Sequence, residues 1–181
     1  LNSAANPDIY FVSSQNTAFP GVWNNVDIML GSPTNSVNQI YGVAFDVNFD
    51  TSLIQMNSAY LVYSASFLNA ANQNVQFRKP AFNAQKIYAA SVRVDGNNVS
   101  GSGKIASLYF KVKPTIPIGT VLNISISNAS KINKSASISS LAAGSSSIQI
   151  IKNTVGINES ALLQKAVHFF PNPASKLITL V

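Results

Sequence analysis

Cysteine is absent from this chain of 181 residues. Its absence excludes a disulfide framework, a cysteine-ligated metal site and thiol catalysis. Long apolar runs are absent too: no stretch approaches the ~18 residues that a membrane-spanning helix needs. We therefore expect a soluble chain with no membrane span, held together by its own hydrophobic core. Its length suits one domain plus a small appendage.

Charged residues are also scarce, at 10% of the chain against about 25% in an average soluble domain. The net charge of +6 comes from twelve Lys and Arg against only six Asp and Glu. The basic residues are mostly spaced singly and form no stripe, so no nucleic-acid partner is expected. Asn and Ser must make the surface soluble instead, which is typical of extracellular binding and adhesion modules.

Side chains suited to catalysis are few. The one histidine, His168, lies beside Phe169 and Phe170, where packing or strand capping is its more ordinary role. A carboxylate pair for glycoside hydrolysis needs two acids about 5–9.5 Å apart. Asp46 and Asp50 are about 13 Å apart on an extended strand, at ~3.3 Å per residue. No catalytic triad, phosphate loop or metal motif is present, so we predict that the chain is not an enzyme.

Calcium is a weaker alternative among the cofactors, because it needs six to eight oxygen ligands. Two groups of oxygen-bearing side chains could supply some of them: Asp46, Asn48 and Asp50, or Asp95, Asn97 and Asn98. A solvated strand face explains the first group equally simply, and an ordinary turn explains the second. We therefore predict no metal site and no cofactor.

Hydrophobic residues alternate with polar ones through most of the chain, and turn residues recur every eight to twelve positions. This spacing predicts an all-β sandwich or barrel. The clearest strand covers residues 40–49, in which Tyr41, Val43, Phe45, Val47 and Phe49 face one way. Their neighbours Gly42, Ala44, Asp46 and Asn48 face the other, so one side is core and the other meets solvent or a partner. Further strands are predicted over residues 9–12, 22–30, 53–56, 59–63, 75–78, 86–94, 104–112, 121–126 and 147–151.

Three stretches between Gly21 and Ile126 follow one another along the chain. They are residues 26–31, a strand that ends in glycine, residues 41–54, and residues 103–113 with the strand 122–126. Their order resembles that of a cohesin domain. The resemblance implies an antiparallel jelly-roll sandwich of about nine strands, a fold that cohesins share with several carbohydrate-binding modules. It also implies a dockerin-type protein partner, bound by the outward residues Gly42, Ala44, Asp46 and Asn48.

A polysaccharide is the alternative ligand, because sugar rings stack on exposed aromatic rings while amides bind the hydroxyls. Trp23 is out of phase with Val22, Val26 and Ile28, so it shares the polar side of its strand with Asn25. Tyr60 and Tyr63 are further candidates in a loop-like region. The structural alternative is that Trp23 covers an edge of the sandwich.

The last segment has a short apolar strand, a corner formed by Pro171, Asn172 and Pro173, and a second apolar strand. It resembles the start of the C-terminal sorting domain that the type IX secretion system of Bacteroidetes recognises. The resemblance implies a secreted or cell-surface protein that contacts this secretion machinery. We accordingly predict a sandwich over residues 1–152, a linker over 153–165 and a truncated sorting domain over 166–181.

Together these observations predict a non-catalytic recognition module that binds a partner protein or a polysaccharide. A ligand-free structural spacer within a larger surface protein is the remaining alternative.

Overall fold

A computed structural model describes residues 7–69 and 74–153, and all structural statements below concern these residues. They form strands joined by turns, with one 3-10 turn at Phe82–Ala84. The strands are β1 (Ile9–Val12), β2 (Thr17–Ala18), β3 (Trp23–Leu30), β4 (Val37–Ile40), β5 (Gly42–Phe49), β6 (Tyr60–Val62), β7 (Asn74–Ala81), β8 (Lys86–Arg93), β9 (Val99–Gly101), β10 (Gly103–Lys111), β11 (Val121–Ile132), β12 (Ile138–Ser140) and β13 (Ser145–Ile150).

Two sheets make up the sandwich. The smaller has four strands in the order β1-β3-β10-β6. The larger has seven: β2-β13-β11-β5-β8-β7, with β12 paired to β11 at one side. Neighbouring strands are antiparallel except for β2 and β13, which are parallel. A separate ribbon joins β4 to β9. The fold is therefore an antiparallel β-sandwich of the jelly-roll type, as the alternation and the resemblance predict.

The core lies between the two sheets and follows the period of two. In β5 the side chains that enter the core are Val43, Phe45, Val47 and Phe49. The small sheet contributes Val26, Ile28 and Leu30 from β3 and Leu108 and Phe110 from β10. A β-bulge between Lys104 and Ala106 inserts one extra residue, Ile105, which is fully buried. Such alternation lets each strand place one row of side chains in the core and the other on an outer face.

Several strand predictions are confirmed and one is wrong. The long strands β3, β5, β8 and β10 lie where the alternation predicts them. Residues 53–56 form a turn, because the backbone N–H of Ile54 bonds to the carbonyl of Asp50 and the segment meets Val112 through a single bridge. Four short strands, β2, β4, β9 and β12, are absent from the prediction, because their sequences do not alternate clearly between apolar and polar residues. Strand β11 continues beyond Ile126 to Ile132, past a bulge.

Phe45 provides a test of the core, because it is almost completely buried at the centre of the larger sheet. We expect Phe45→Ala to lower the free energy of unfolding by about 3–5 kcal/mol, through lost apolar burial and the cavity left behind. Equilibrium denaturation in guanidinium chloride measures this. Ala44→Ser is the matched control on the exposed side of the same strand, where we expect a change within about 0.5 kcal/mol. Equal stability of Phe45→Ala and wild type would contradict this assignment of the core.

Candidate functional site

The outer side of β11, β5, β8 and β7 is the first candidate surface, and we call it the large-sheet face. Strand β5 runs through its middle, paired to β11 on one side and β8 on the other. The four predicted residues of β5 all lie on this side, but they are not equally accessible. Ala44 is exposed and Asn48 half-buried, whereas Gly42 and Asp46 are buried. The expectation that all four are open to solvent is thus corrected at two positions.

Gly42 is buried because its cross-strand neighbours close over it. A Cβ atom at this position would lie 3.0 Å from Cγ2 of Val92 and 3.1 Å from Cγ2 of Ile132. Those distances leave little room for any larger side chain. Glycine here lets the two branched side chains approach each other across β5, which makes the surface above the strand apolar.

Asp46 is buried because two neighbouring side chains bind its carboxylate. Lys86 Nζ donates to Asp46 Oδ2 at 3.2 Å, and Asn128 Nδ2 donates to the same oxygen at 2.9 Å. Asn128 has a left-handed backbone, with φ of 51°, at the β11 bulge that lies between Ser127 and Ser130. The bulge thus brings the Asn128 amide into contact with a charged residue on the neighbouring strand β5.

The large-sheet face divides into an apolar half and a polar half. In the apolar half, Val75 is 63% exposed and Phe77 53% exposed on the edge strand β7. They stand beside Val92 and Ala90 of β8 in the sheet register. A shallow groove of about 180 Å³ continues this surface across β5. Its lining includes Gly42, Ala44, Ala90, Val92, Ile132 and Ile138. Contiguous exposed apolar surface of this kind commonly marks an interaction site.

The polar half occupies the other end of the same strands. Besides Asp46 and Lys86 it contains Asn48, whose Nδ2 donates to Ser127 Oγ at 2.9 Å. Lys86 Nζ lies 5.5 Å from the ring centre of Tyr88. A wider groove of about 520 Å³ begins here and is lined mainly by amides and hydroxyls, from Asn48, Gln85, Asn123, Ser125, Ser145 and Ser147. This end can make directional hydrogen bonds, whereas the apolar half can bury hydrophobic side chains.

The outer side of the small sheet carries the second candidate surface. Trp23, 49% exposed, and Asn25 share this side with Asp27, as the alternation of β3 predicts. The rings of Trp23 and Tyr60 pack edge to face, with ring centres 5.3 Å apart. Tyr60 stacks on Tyr109 of the next strand at 5.5 Å. We call Trp23, Tyr60 and Tyr109 the aromatic strip.

Tyr63 does not belong to the aromatic strip, which corrects its prediction as a sugar-binding residue. It is buried, and its hydroxyl donates to the carbonyl oxygen of Phe77 at 2.7 Å. Burial raises the pKa of the Tyr63 phenol to about 12, because the charged form would lose its water. Tyr63 therefore ties the edge strand β7 to the interior of the sandwich.

The aspartates of the two groups that were considered as calcium ligands accept hydrogen bonds from other protein groups. Asp46 is bound by Lys86 and Asn128, and Asp50 Oδ1 accepts the backbone N–H of Ser52 at 2.7 Å. Asp95 receives two hydrogen bonds from the buried guanidinium of Arg93, one of them from Nε at 3.1 Å. This pairing holds the pKa of the Asp95 carboxyl below its usual range. Over residues 7–69 and 74–153 no three His, Asp or Glu residues cluster as a metal site would require.

Other predicted features fall beyond the described part of the chain. These are His168, the corner of Pro171, Asn172 and Pro173, and the boundaries of the linker and the sorting domain. Among the residues that the structure describes, no helix is long and apolar enough to cross a membrane.

Comparison with solved structures identifies the architecture. A cohesin module from a family 33 glycoside hydrolase of Clostridium perfringens superposes with a TM-score of 0.61 at 10% sequence identity, covering 82% of this chain and 100% of that one. The type II cohesin A11 of Bacteroides cellulosolvens superposes with a TM-score of 0.60 at 14% identity, covering 78% of this chain and 98% of that one. A type I cohesin from Clostridium thermocellum, solved in a cohesin–dockerin complex, superposes with a TM-score of 0.58 at 14% identity, covering 79% of this chain and 99% of that one.

The fold is that of a cohesin module. No protein-family model matches the chain, and no curated protein matches it in sequence.

Residues outside the predicted set also belong to the two surfaces of this cohesin-like sandwich. Val75 and Phe77 resemble core residues in sequence, and only the tertiary structure exposes them. Tyr109 was detectable, because it is out of phase with the buried Leu108 and Phe110 on β10.

Tyr63→Phe tests the hydrogen bond from the buried Tyr63 hydroxyl to the carbonyl of Phe77 on the edge strand β7. We expect a loss of about 1 kcal/mol of unfolding free energy at neutral pH, because the carbonyl of Phe77 loses its buried partner. The pKa of the Tyr63 phenol is higher in the folded state than in the unfolded chain. Its contribution to the free energy of unfolding is therefore complete below pH ~10 and is lost as the pH rises through about 12. The difference in unfolding free energy between wild type and Tyr63→Phe should therefore become smaller above pH ~10. Urea denaturation at several pH values measures it.

The exposed Tyr88 supplies the matched control. Tyr88→Phe should leave the free energy of unfolding nearly unchanged. A pH-independent gap for Tyr63→Phe would show that the Tyr63 phenol ionises normally.

Proposed function

We propose that this chain is a non-catalytic recognition module and that its large-sheet face binds a dockerin-type protein partner. The observation that carries the proposal is the exposed apolar half of that face, centred on Ala44 and Phe77. It lies on paired strands of a rigid sheet, so a partner meets a surface that is already formed. Preorganisation of this kind lowers the entropic cost of association.

The chemistry of the large-sheet face suits a helical protein partner. A helix can lay its apolar stripe on Phe77, Val75 and Val92, while polar groups on its flank reach Lys86 and Asn48. The paired charge of Asp46 leaves no unbalanced acid under such a contact. The cohesin fold supports the same partner class, since one of the similar structures is a complex with a dockerin.

Phe77→Ala should weaken binding to a cognate dockerin-type module by about tenfold to a hundredfold, because a large aromatic side chain that is a hot spot of an interface contributes about 2 kcal/mol or more. Ala44→Arg should weaken it at least as strongly, since a bulky charge would stand in the middle of the apolar half. Isothermal titration calorimetry against the dockerin-type modules of the source organism measures both.

Trp23→Ala is the matched control, because it removes an exposed aromatic side chain from the opposite sheet. It should leave this affinity unchanged. Full binding by Phe77→Ala and Ala44→Arg together would overturn the assignment of the large-sheet face. Failure of every dockerin-type module to bind the wild type would overturn the partner class.

We further propose that the protein works outside the cell and is exported by the type IX secretion system. The support is the C-terminal segment around Pro171, Asn172 and Pro173, together with the scarcity of charge. Expressed in a type IX-competent member of the Bacteroidetes, the chain should reach the surface or the medium. Replacing both prolines with alanine should retain it inside. Equal export of both forms, or export by a strain without the type IX translocon, would contradict the proposal.

A polysaccharide ligand is the second candidate function, and the exposed aromatic strip is the observation that favours it. A ligand-free spacer would bind neither class of ligand, so negative results on both surfaces would support that alternative instead.

A further inference from the structure

Lys111 stands over the aromatic strip and has no acidic partner among the residues that the structure describes. It is paired directly with Trp23 in the register of β10 and β3, and its Nζ lies 4.8 Å from the centre of the Trp23 ring. Within the described residues no carboxylate forms an ion pair with this ammonium group. A cation held over an indole face is attracted to the ring, yet it keeps its capacity to bind an anion from solution.

Asp27, the acidic residue of β3, lies on the same side of the sheet and is already paired. Asp27 Oδ1 accepts a hydrogen bond from Ser107 Oγ at 2.6 Å and lies 3.7 Å from Lys104 Nζ. Lys104 and Asp27 therefore balance each other, and Lys111 leaves the strip with a net positive charge. That charge complements an anionic ligand.

The strip also offers uncommitted hydrogen-bonding groups. In the part of the chain that the structure describes, the side-chain amide of Asn25 and the hydroxyls of Tyr60 and Tyr109 bind no other residue. Asn25 faces Tyr109 across β3 and β10, and Tyr109 faces Tyr60 across β10 and β6. The groups thus extend over three neighbouring strands, about 10 Å at 4.7–4.9 Å per strand. Such a surface can hold more than one sugar ring of an extended chain.

We propose that the aromatic strip binds an acidic polysaccharide of the polyuronate class. Apolar faces of the pyranose rings stack on Trp23 and the tyrosines, a uronate carboxylate pairs with Lys111, and Asn25 binds ring hydroxyls. A neutral sugar would have to displace the ammonium group from the indole without replacing its interaction. A uronate gives Lys111 a charged partner in exchange, so the arrangement selects the acidic polymer. The inference is independent of the proposed protein partner, which uses the opposite sheet.

Affinity electrophoresis of the full chain tests the proposal, using gels that contain polygalacturonate or the same polymer with its carboxylates methyl-esterified. The acid form should retard the wild-type protein, and the affinity for the ester should be at least tenfold lower. Raising the salt to about 0.5 M should release it, since exposed charges are screened. Trp23→Ala should lose at least tenfold in affinity for the acid form.

Lys111 variants separate charge from stacking. Lys111→Gln should bind the acid and the esterified polymer equally weakly, whereas Lys111→Arg should keep the preference for the acid. Phe77→Ala is the control on the large-sheet face and should bind polygalacturonate like the wild type. Unchanged thermal unfolding of each variant shows that the fold is intact.

Three results would overturn the inference. The first is no retardation of wild type by polygalacturonate, and the second is equal retardation by the acid and the ester. The third is a loss of binding in Phe77→Ala but not in Trp23→Ala, which would place the ligand on the other sheet. Because dockerin-type binding is measured separately, failure of one proposal leaves the other standing.

Discussion

Strand β5 is paired along most of its length to β11 on one side and to β8 on the other, so each of its residues is committed to one of two faces. Val43, Phe45, Val47 and Phe49 enter the core. A register slip of one residue would exchange them with the outward set and move the charge of Asp46 from the outer face into the apolar core. The pairing of β5 therefore determines both the packing of the sandwich and the composition of the large-sheet face.

The few acidic residues of this chain build structure and leave little negative charge for its surface. Each aspartate that the structure describes accepts a hydrogen bond from a protein group: Asp8, Asp27, Asp46, Asp50 and Asp95. Three of them also pair with a basic side chain. Basic residues outnumber these acids, so cations such as Lys111 have no carboxylate partner within the described residues. These unpaired basic side chains are available to form ion pairs with acidic ligands.

The two candidate surfaces lie on opposite sheets, with the whole core between them. One is an apolar and amide-bearing sheet face suited to a protein, and the other is a narrow aromatic strip suited to a polymer of sugars. Occupation of one leaves the other accessible. A cohesin-like module with both surfaces could connect a partner protein to an acidic polysaccharide, a function that neither surface suggests by itself.

The sequence by itself determined the fold class and the side of each long strand, because a period of two is a local property of the backbone. It predicted the buried row of β5 and the exposure of Trp23 and Asn25. Tertiary structure decided which outward residues stay accessible: Val92 and Ile132 cover Gly42, and Asn128 reaches Asp46 from a bulge. It also buried Tyr63 and exposed Phe77 on β7 at the edge of the larger sheet. Alternation says which way a side chain points, whereas its surroundings depend on residues that are distant in the chain.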